Sequence, residues 1–80
     1  MTRSVPEIQQ RLIEELAKEL GLAPASIDPA LPFERYGVDS MAAVNLTSSM
    51  ERWLGRDLSP SLPFQHRSID ALASFLGTGE

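Results

Sequence analysis

The chain has no cysteine among its 80 residues, and only one histidine, one tryptophan and one tyrosine. Without a thiol there is no disulfide framework, no thiolate zinc site and no cysteine nucleophile. Positive charge is scarce as well: seven Lys and Arg against eleven Asp and Glu leave a net charge of −4. That balance opposes the phosphate neutralisation on which nucleic-acid binding depends, so no nucleic-acid partner is expected. No apolar run approaches the roughly 20 residues that cross a bilayer, and the opening MTRSVPEIQQ lacks the apolar centre of a signal peptide. A cytoplasmic, monomeric protein without a membrane partner is expected. Enzyme chemistry is also poorly supplied. A Ser, His, Asp triad could form only around His66, no Gly-x-Ser-x-Gly elbow is present, and one histidine with scattered carboxylates matches no metal-ligand spacing. The five glycines never cluster into a phosphate loop. No catalytic residue and no metal ligand is therefore assigned, and His66 reads as a surface or half-buried loop residue.

What is present suits one small helical domain over residues 1–80, because 42% of the residues are hydrophobic and 22% charged. Ser4-Val5-Pro6-Glu7 reads as a capping box that opens a helix over 5–20. Ile8, Leu12, Ile13, Leu16, Ala17 and Leu20 recur on its inward face, and Gly21 ends it. From Leu22 to Asp39 the period is lost, with Pro24, Pro29, Pro32 and Gly37 interrupting any regular element. So long a loop is usually functional, and Ile27, Leu31, Phe33, Tyr36 and Val38 are its candidate anchors. Asp39 then caps a second helix that runs to Leu54. Two stripes share that helix: Leu46, Met50, Trp53 and Leu54 on one side, Met41, Val44 and Ser48 on another. A short helical turn is expected near Phe64 to His66. Ser68 caps a last helix carrying Ile69, Leu72, Ala73 and Leu76, with Gly77 after its end. The sum is an all-α, small antiparallel four-helix bundle, three main helices plus a short one, with a long first connection and flexible tails at 1–4 and 77–80. Trp53 and the three phenylalanines read as core.

The residue that carries chemistry is Ser40, directly after the cap Asp39 in Tyr36-Gly37-Val38-Asp39-Ser40-Met41. A hydroxyl in the first turn of a helix lies where amide hydrogens and the macrodipole favour an anion, so a phosphate esterified there is electrostatically favourable. Taken alone, Asp-Ser is far more often a plain capping pair, as in a small helical interaction domain without a prosthetic group. Met41 and Val44 fit either a core or a partner-facing role, although Leu46, Met50 and Leu54 already give the helix a core side.

The stretch LPFERYGVDSMAAVNLTSSMERWL, with the first helix before it and IDALASFL after it, resembles the acyl carrier protein family, in which an Asp-Ser-Leu or Asp-Ser-Met element opens the second helix. The ending LSPSLPFQHRSIDALASFL is similar to carrier domains of polyketide synthases and of systems loaded by acyl-adenylating ligases. The resemblance implies a 4'-phosphopantetheine arm held covalently on Ser40, with Asp39 completing the motif. It also implies a phosphopantetheinyl transferase, an acyl-loading ligase or acyltransferase, and a ketosynthase or other downstream synthase enzymes as partners. Acyl cargo would ride as a thioester on the arm, and the carrier itself would catalyse nothing. Residues 40–50 carry no charge, unlike the acidic second helix of dissociated fatty-acid synthase carriers. Gly37-Val38 also lacks the double glycine of peptidyl carriers, which leaves a peptidyl carrier of a nonribosomal pathway as the near alternative.

Overall fold

The computed structural model describes residues 3–78, apart from the side chain of Thr78. Four helices carry the fold: α1 (Val5–Leu20), α2 (Ser40–Leu54), α3 (Leu62–Gln65) and α4 (Ile69–Thr78). The capping box forms as the sequence predicts. The Glu7 amide donates to Ser4 Oγ at 3.3 Å, and the Ser4 amide donates to Glu7 Oε1 at 2.9 Å. Hydrogen bonding from Ser4, first its amide and then its hydroxyl, holds the Glu7 carboxyl below its ordinary pKa.

Helix α1 is the spine, packed against both α2 and α4. Cross-helix pairs fix the directions. Gln9 Nε2 donates to Asp70 Oδ1 at 2.6 Å near the start of α4, while Val5 lies against Gly77 at its end. Likewise Arg11 faces Trp53 and Glu19 accepts from Asn45 Nδ2 at 3.2 Å. Both neighbours therefore run antiparallel to α1. Ile8, Leu12 and Leu16 lie at 0–1% exposure and meet Met50, Ile69 and Leu72 in one core.

The first connection contains two 3-10 turns, Pro24–Ser26 and Phe33–Tyr36, where the prolines had suggested unbroken loop. Pro24 starts the first turn and Pro32 caps the second, both places where a fixed φ is an advantage. Ile27, Phe33 and Val38 are buried anchors. Tyr36 Oη accepts from the Asp28 amide at 2.6 Å and donates to the Asp28 carbonyl at 3.2 Å, closing the loop on itself. The Phe33 amide donates to the Arg67 carbonyl at 2.6 Å and the Asp70 amide to the Pro29 carbonyl at 3.0 Å, which ties the loop to the α3–α4 junction.

Several expectations shift. The short helix starts at Leu62, not Phe64, because Pro63 fits its first turn instead of interrupting it. Gly77 does not end α4 but lies within it, packed so closely on Val5 that no side chain fits there. Within the stretches expected as tails, Ser4 is a cap and the Arg3 guanidinium lies 4.4 Å from the Trp53 ring centre. Residues 1, 2, 79 and 80 lie outside the described residues. Phe33 is core, but Phe64 and Phe75 are 50% and 41% exposed, since both stand on the outward side of their short helices. Ile13 and Leu20 are only partly buried, whereas Glu15 is buried. Glu15 tolerates this because Arg11 Nε and Lys18 Nζ lie 3.0 and 3.9 Å from its carboxylate.

Candidate functional site

The site is built by the four residues before α2 and the first turn of α2 itself. Gly37 has φ of 72°, a left-handed conformation that ends the second 3-10 turn and that only glycine adopts without strain. Val38 then drops into the core at 8% exposure. Asp39 is extended, and its Oδ1 accepts the Ala42 amide hydrogen at 2.9 Å. Ser40 follows as the first residue of the helix, with its side chain exposed.

This arrangement leaves the amide hydrogens of Ser40 and Met41 without an intrahelical carbonyl, the usual condition of a first turn. They and the macrodipole favour an anion on the Ser40 hydroxyl. An ideal Cβ on Gly37 would meet nothing within 4 Å, so the approach on that side is open. One oxygen of the Asp39 carboxylate is engaged in the cap. An exposed hydroxyl, open approach and free amides fit a phosphodiester.

The inward side of α2 consists of Ala42, Ala43, Leu46, Thr47 and Met50, all buried. Leu46 and Met50 were legible as core; the two alanines and Thr47 were not singled out. Alanine lets α2 approach its neighbours closely, and Thr47 loses its polarity locally by donating to the Ala43 carbonyl at 2.8 Å. Met41 and Val44 stand on the outward side, 72% and 44% exposed. They are separate from the core stripe and adjacent to Ser40 along the helix. Trp53 is half-buried, with the Arg3 and Arg11 guanidinium groups over its ring. His66 is half-buried and stacks on Phe75, ring centres 4.3 Å apart and 21° from parallel. Among the described residues, no three His, Asp or Glu converge as metal ligands. Sequence reasoning missed a groove between the loop and α3, lined by Phe33, Val38, Pro63 and Phe64, because its two walls lie about 30 residues apart.

Comparison with known proteins places this geometry. The family described as phosphopantetheine attachment site matches residues 10–76. The acyl carrier protein TtuC of Teredinibacter turnerae is 35% identical over 54 residues, which cover 68% of this chain and 62% of that protein. A highly reducing polyketide synthase of Pyricularia oryzae is 42% identical over 48 residues, covering 60% of this chain and 2% of that protein. The chain thus corresponds to a small part of such synthases. Among solved structures, a free-standing peptidyl carrier protein from Acinetobacter baumannii superposes with a TM-score of 0.88 at 30% identity, covering 91% of each chain. An acyl carrier protein from Anabaena with a variant phosphopantetheinylation-site sequence gives 0.83 at 37%, covering 96% of this chain and 89% of that one. With the match extending over most of its length, the chain belongs to the phosphopantetheine attachment site family, whose bound group is covalent 4'-phosphopantetheine.

Proposed function

We propose that the protein is an acyl carrier whose 4'-phosphopantetheine arm is attached at Ser40, and that it serves a polyketide or related lipid or secondary-metabolite pathway. The observation that carries this reading is the exposed Ser40 hydroxyl on the first turn of α2, inside the segment that matches the family. In the modification, Ser40 Oγ attacks the β-phosphorus of coenzyme A. The Oγ–P bond forms, the bond to the leaving 3',5'-adenosine bisphosphate breaks, and the hydroxyl proton passes to a base of the phosphopantetheinyl transferase. Asp39 keeps the first turn formed, and the Ser40 and Met41 amides face the resulting anion. Once bound, the group supplies the thiol that this cysteine-free chain lacks and so carries acyl cargo as a thioester.

The family is a carrier family, and we read this member as without catalytic activity of its own. Carrier domains of polyketide synthases work with partner synthase enzymes. Here the partners we propose are an acyl-adenylating ligase or acyltransferase for loading and a ketosynthase or other synthase enzyme downstream. Met41 and Val44 form the apolar patch on which they dock. The reading also takes the protein as a cytoplasmic monomer, and the −4 charge disfavours nucleic acid as a partner. The backbone likeness to a peptidyl carrier favours an aminoacyl cargo as the second reading.

The test is intact-mass measurement after incubation with coenzyme A and a promiscuous transferase. Wild type should gain one phosphopantetheinyl group, and Ser40→Ala, with an unchanged circular dichroism spectrum, should gain none. Modification of Ser40→Ala, or none of wild type, would sink the assignment.

A further inference from the structure

The seam where α1 packs on the last turns of α2 gathers cations. Arg3, Arg11, Lys18 and Arg52, four of the seven Lys and Arg in a chain of net charge −4, stand along it. Two hollows share Arg11 and Trp53. The first, about 420 Å³, has the Trp53 ring and Pro6 in its wall. The second, about 280 Å³, is lined by Arg11, Lys18, Arg52 and Ser49 together with the buried Glu15. The carboxylates of this face are already engaged. Glu15 is met by Arg11 Nε at 3.0 Å and Lys18 Nζ at 3.9 Å, Glu7 accepts the Ser4 amide at 2.9 Å, and Glu14 and Glu19 accept from Gln10 and Asn45, each at 3.2 Å. The cations are not. Arg3 and Arg52 form no ion pair among the described residues, and Arg52 reaches only the neutral Ser49 Oγ, at 3.4 Å. The Trp53 ring centre lies 4.4 Å from the Arg3 guanidinium and 5.5 Å from that of Arg11. It offers them a π face but no lone pair, so their terminal N–H donors are left for another acceptor.

We propose that this seam is a docking surface for an acidic peptide segment of a partner protein. One apolar side chain of the segment packs against Trp53 and Pro6, and its carboxylates accept from Arg11, Lys18 and Arg52. Charge complementarity selects that occupant and its width. Glu7 and Glu14 flank the seam at one end and Glu19 at the other, so a flat anionic surface would be repelled at both ends, whereas a single segment fits between them. Position gives the surface its use. Trp53 lies roughly 20 Å along α2 from Ser40, at about 1.5 Å per residue, so a partner held here leaves Ser40, Met41 and Val44 uncovered. The domain can be retained by one protein while others visit its opposite end, and such tethering raises their effective concentration to about millimolar. Nothing in this surface depends on attachment at Ser40.

The experiment titrates the full chain with the end-blocked peptide Glu-Glu-Leu-Phe-Glu-Glu and reads the emission of Trp53, the only tryptophan present. At low salt the emission should shift and saturate, and in 15N spectra the amides of Arg11, Ser49 and Arg52 should move while those of Ser40 and Met41 stay in place. The peptide with every Glu replaced by Gln should bind about tenfold more weakly, and physiological salt should weaken the acidic peptide about threefold or more. Arg52→Glu should weaken it about fivefold. If that variant loses its helical circular dichroism, Lys18→Gln, at a side chain 79% exposed, should weaken it about twofold. Unchanged Trp53 emission, equal affinity for the Gln peptide, or shifts centred on Met41 and Val44 overturns the proposal. Binding of phosphatidylglycerol vesicles in place of the peptide makes the seam a lipid-facing surface and overturns it equally.

Discussion

Replacing Asp39 separates two roles that one carboxylate could play, holding the first turn of α2 or presenting a charge to the transferase. Its Oδ1 accepts the Ala42 amide at 2.9 Å, while the side chain stays exposed. Asp39→Ala removes both the hydrogen bond and the favourable charge at the helix start, a loss of about 1 kcal/mol for a typical N-cap. Asp39→Asn keeps an acceptor in the same place and removes only the charge, which costs about 0.3–1 kcal/mol and less at physiological salt. For 80 residues, total stability is roughly 4 kcal/mol or more. Even at that lower bound, Asp39→Ala leaves roughly 99% of molecules folded. Its effect on loading is therefore local: 1 kcal/mol corresponds to about a fivefold lower population of the capped first turn. Urea melts should show a lower midpoint with unchanged slope for Asp39→Ala and a smaller change for Asp39→Asn. With limiting transferase, mass spectrometry should show loading slowed up to about fivefold in Asp39→Ala and nearly unchanged in Asp39→Asn. Equal slowing in both variants, or a hundredfold loss in either with stability intact, would show that the enzyme reads the charge itself and that the capping argument is wrong.

Met50, at 1% exposure, is a core residue of α2, and Met50→Ala should lower unfolding free energy by about 2–5 kcal/mol; a melt unchanged from wild type refutes its place in the core. Gly77→Ala would gain about 1 kcal/mol of helix propensity, but its Cβ lands on Val5 Cγ2, with Val5 Cα and N only 3.2 and 3.3 Å away, and overpacking costs about 1–3 kcal/mol. Net destabilisation is expected, lessened when Val5→Ala removes the Cγ2 contact while the Val5 backbone atoms remain, and a stabilised single variant would show that the α1–α4 contact yields freely. For docking, Met41→Asp or Val44→Asp should impair acyl loading by the cognate enzyme more than Arg52→Ala. Raising salt to physiological concentration should change loading little, because the first part of α2 is uncharged; steep salt dependence would refute an apolar interface. Glu51→Ala is unsuitable as the charge control, since Glu51 Oε2 accepts the Leu58 amide at 2.8 Å and holds the turn after α2.

Local signals were legible where a few adjacent residues decide the outcome. Ser4 with Glu7, Asp39 before Ser40, and Ser68 before Ile69 each mark a helix start by their own side-chain chemistry, and the structure uses all three as caps. What stayed illegible depends on what lies opposite. Gly77 has a helix-ending composition, yet Val5 across the bundle requires a residue without a side chain inside α4. Glu15 is polar by type but buried, because Arg11 one turn earlier brings its own counter-charge. Phe64 and Phe75 are apolar by type but exposed, because helices of 4 and 10 residues have outward sides that the small core cannot reach. The candidate serine, Ser40, could be singled out from its neighbours in the chain. The groove beside it could not, since its walls at Phe33 and Phe64 lie about 30 residues apart in the chain and meet only in the folded structure.

Ser40 stands between two anchors, Val38 and Ala42, each 8% exposed and each two residues away. A hydroxyl at the tip of an exposed loop would sample many positions, and a buried one would be closed to an approaching enzyme. Here the backbone on both sides is fixed by burial and by the Asp39 cap, while the side chain itself faces outward. The consequence is a division of labour. In the proposed carrier role, Ser40 would offer each partner one attachment geometry, and the reach needed to visit successive partners would reside in the arm. The longest loop, which leads to Ser40, is tied down at Ile27, Phe33 and Val38 and stitched to the α3–α4 junction by two backbone hydrogen bonds.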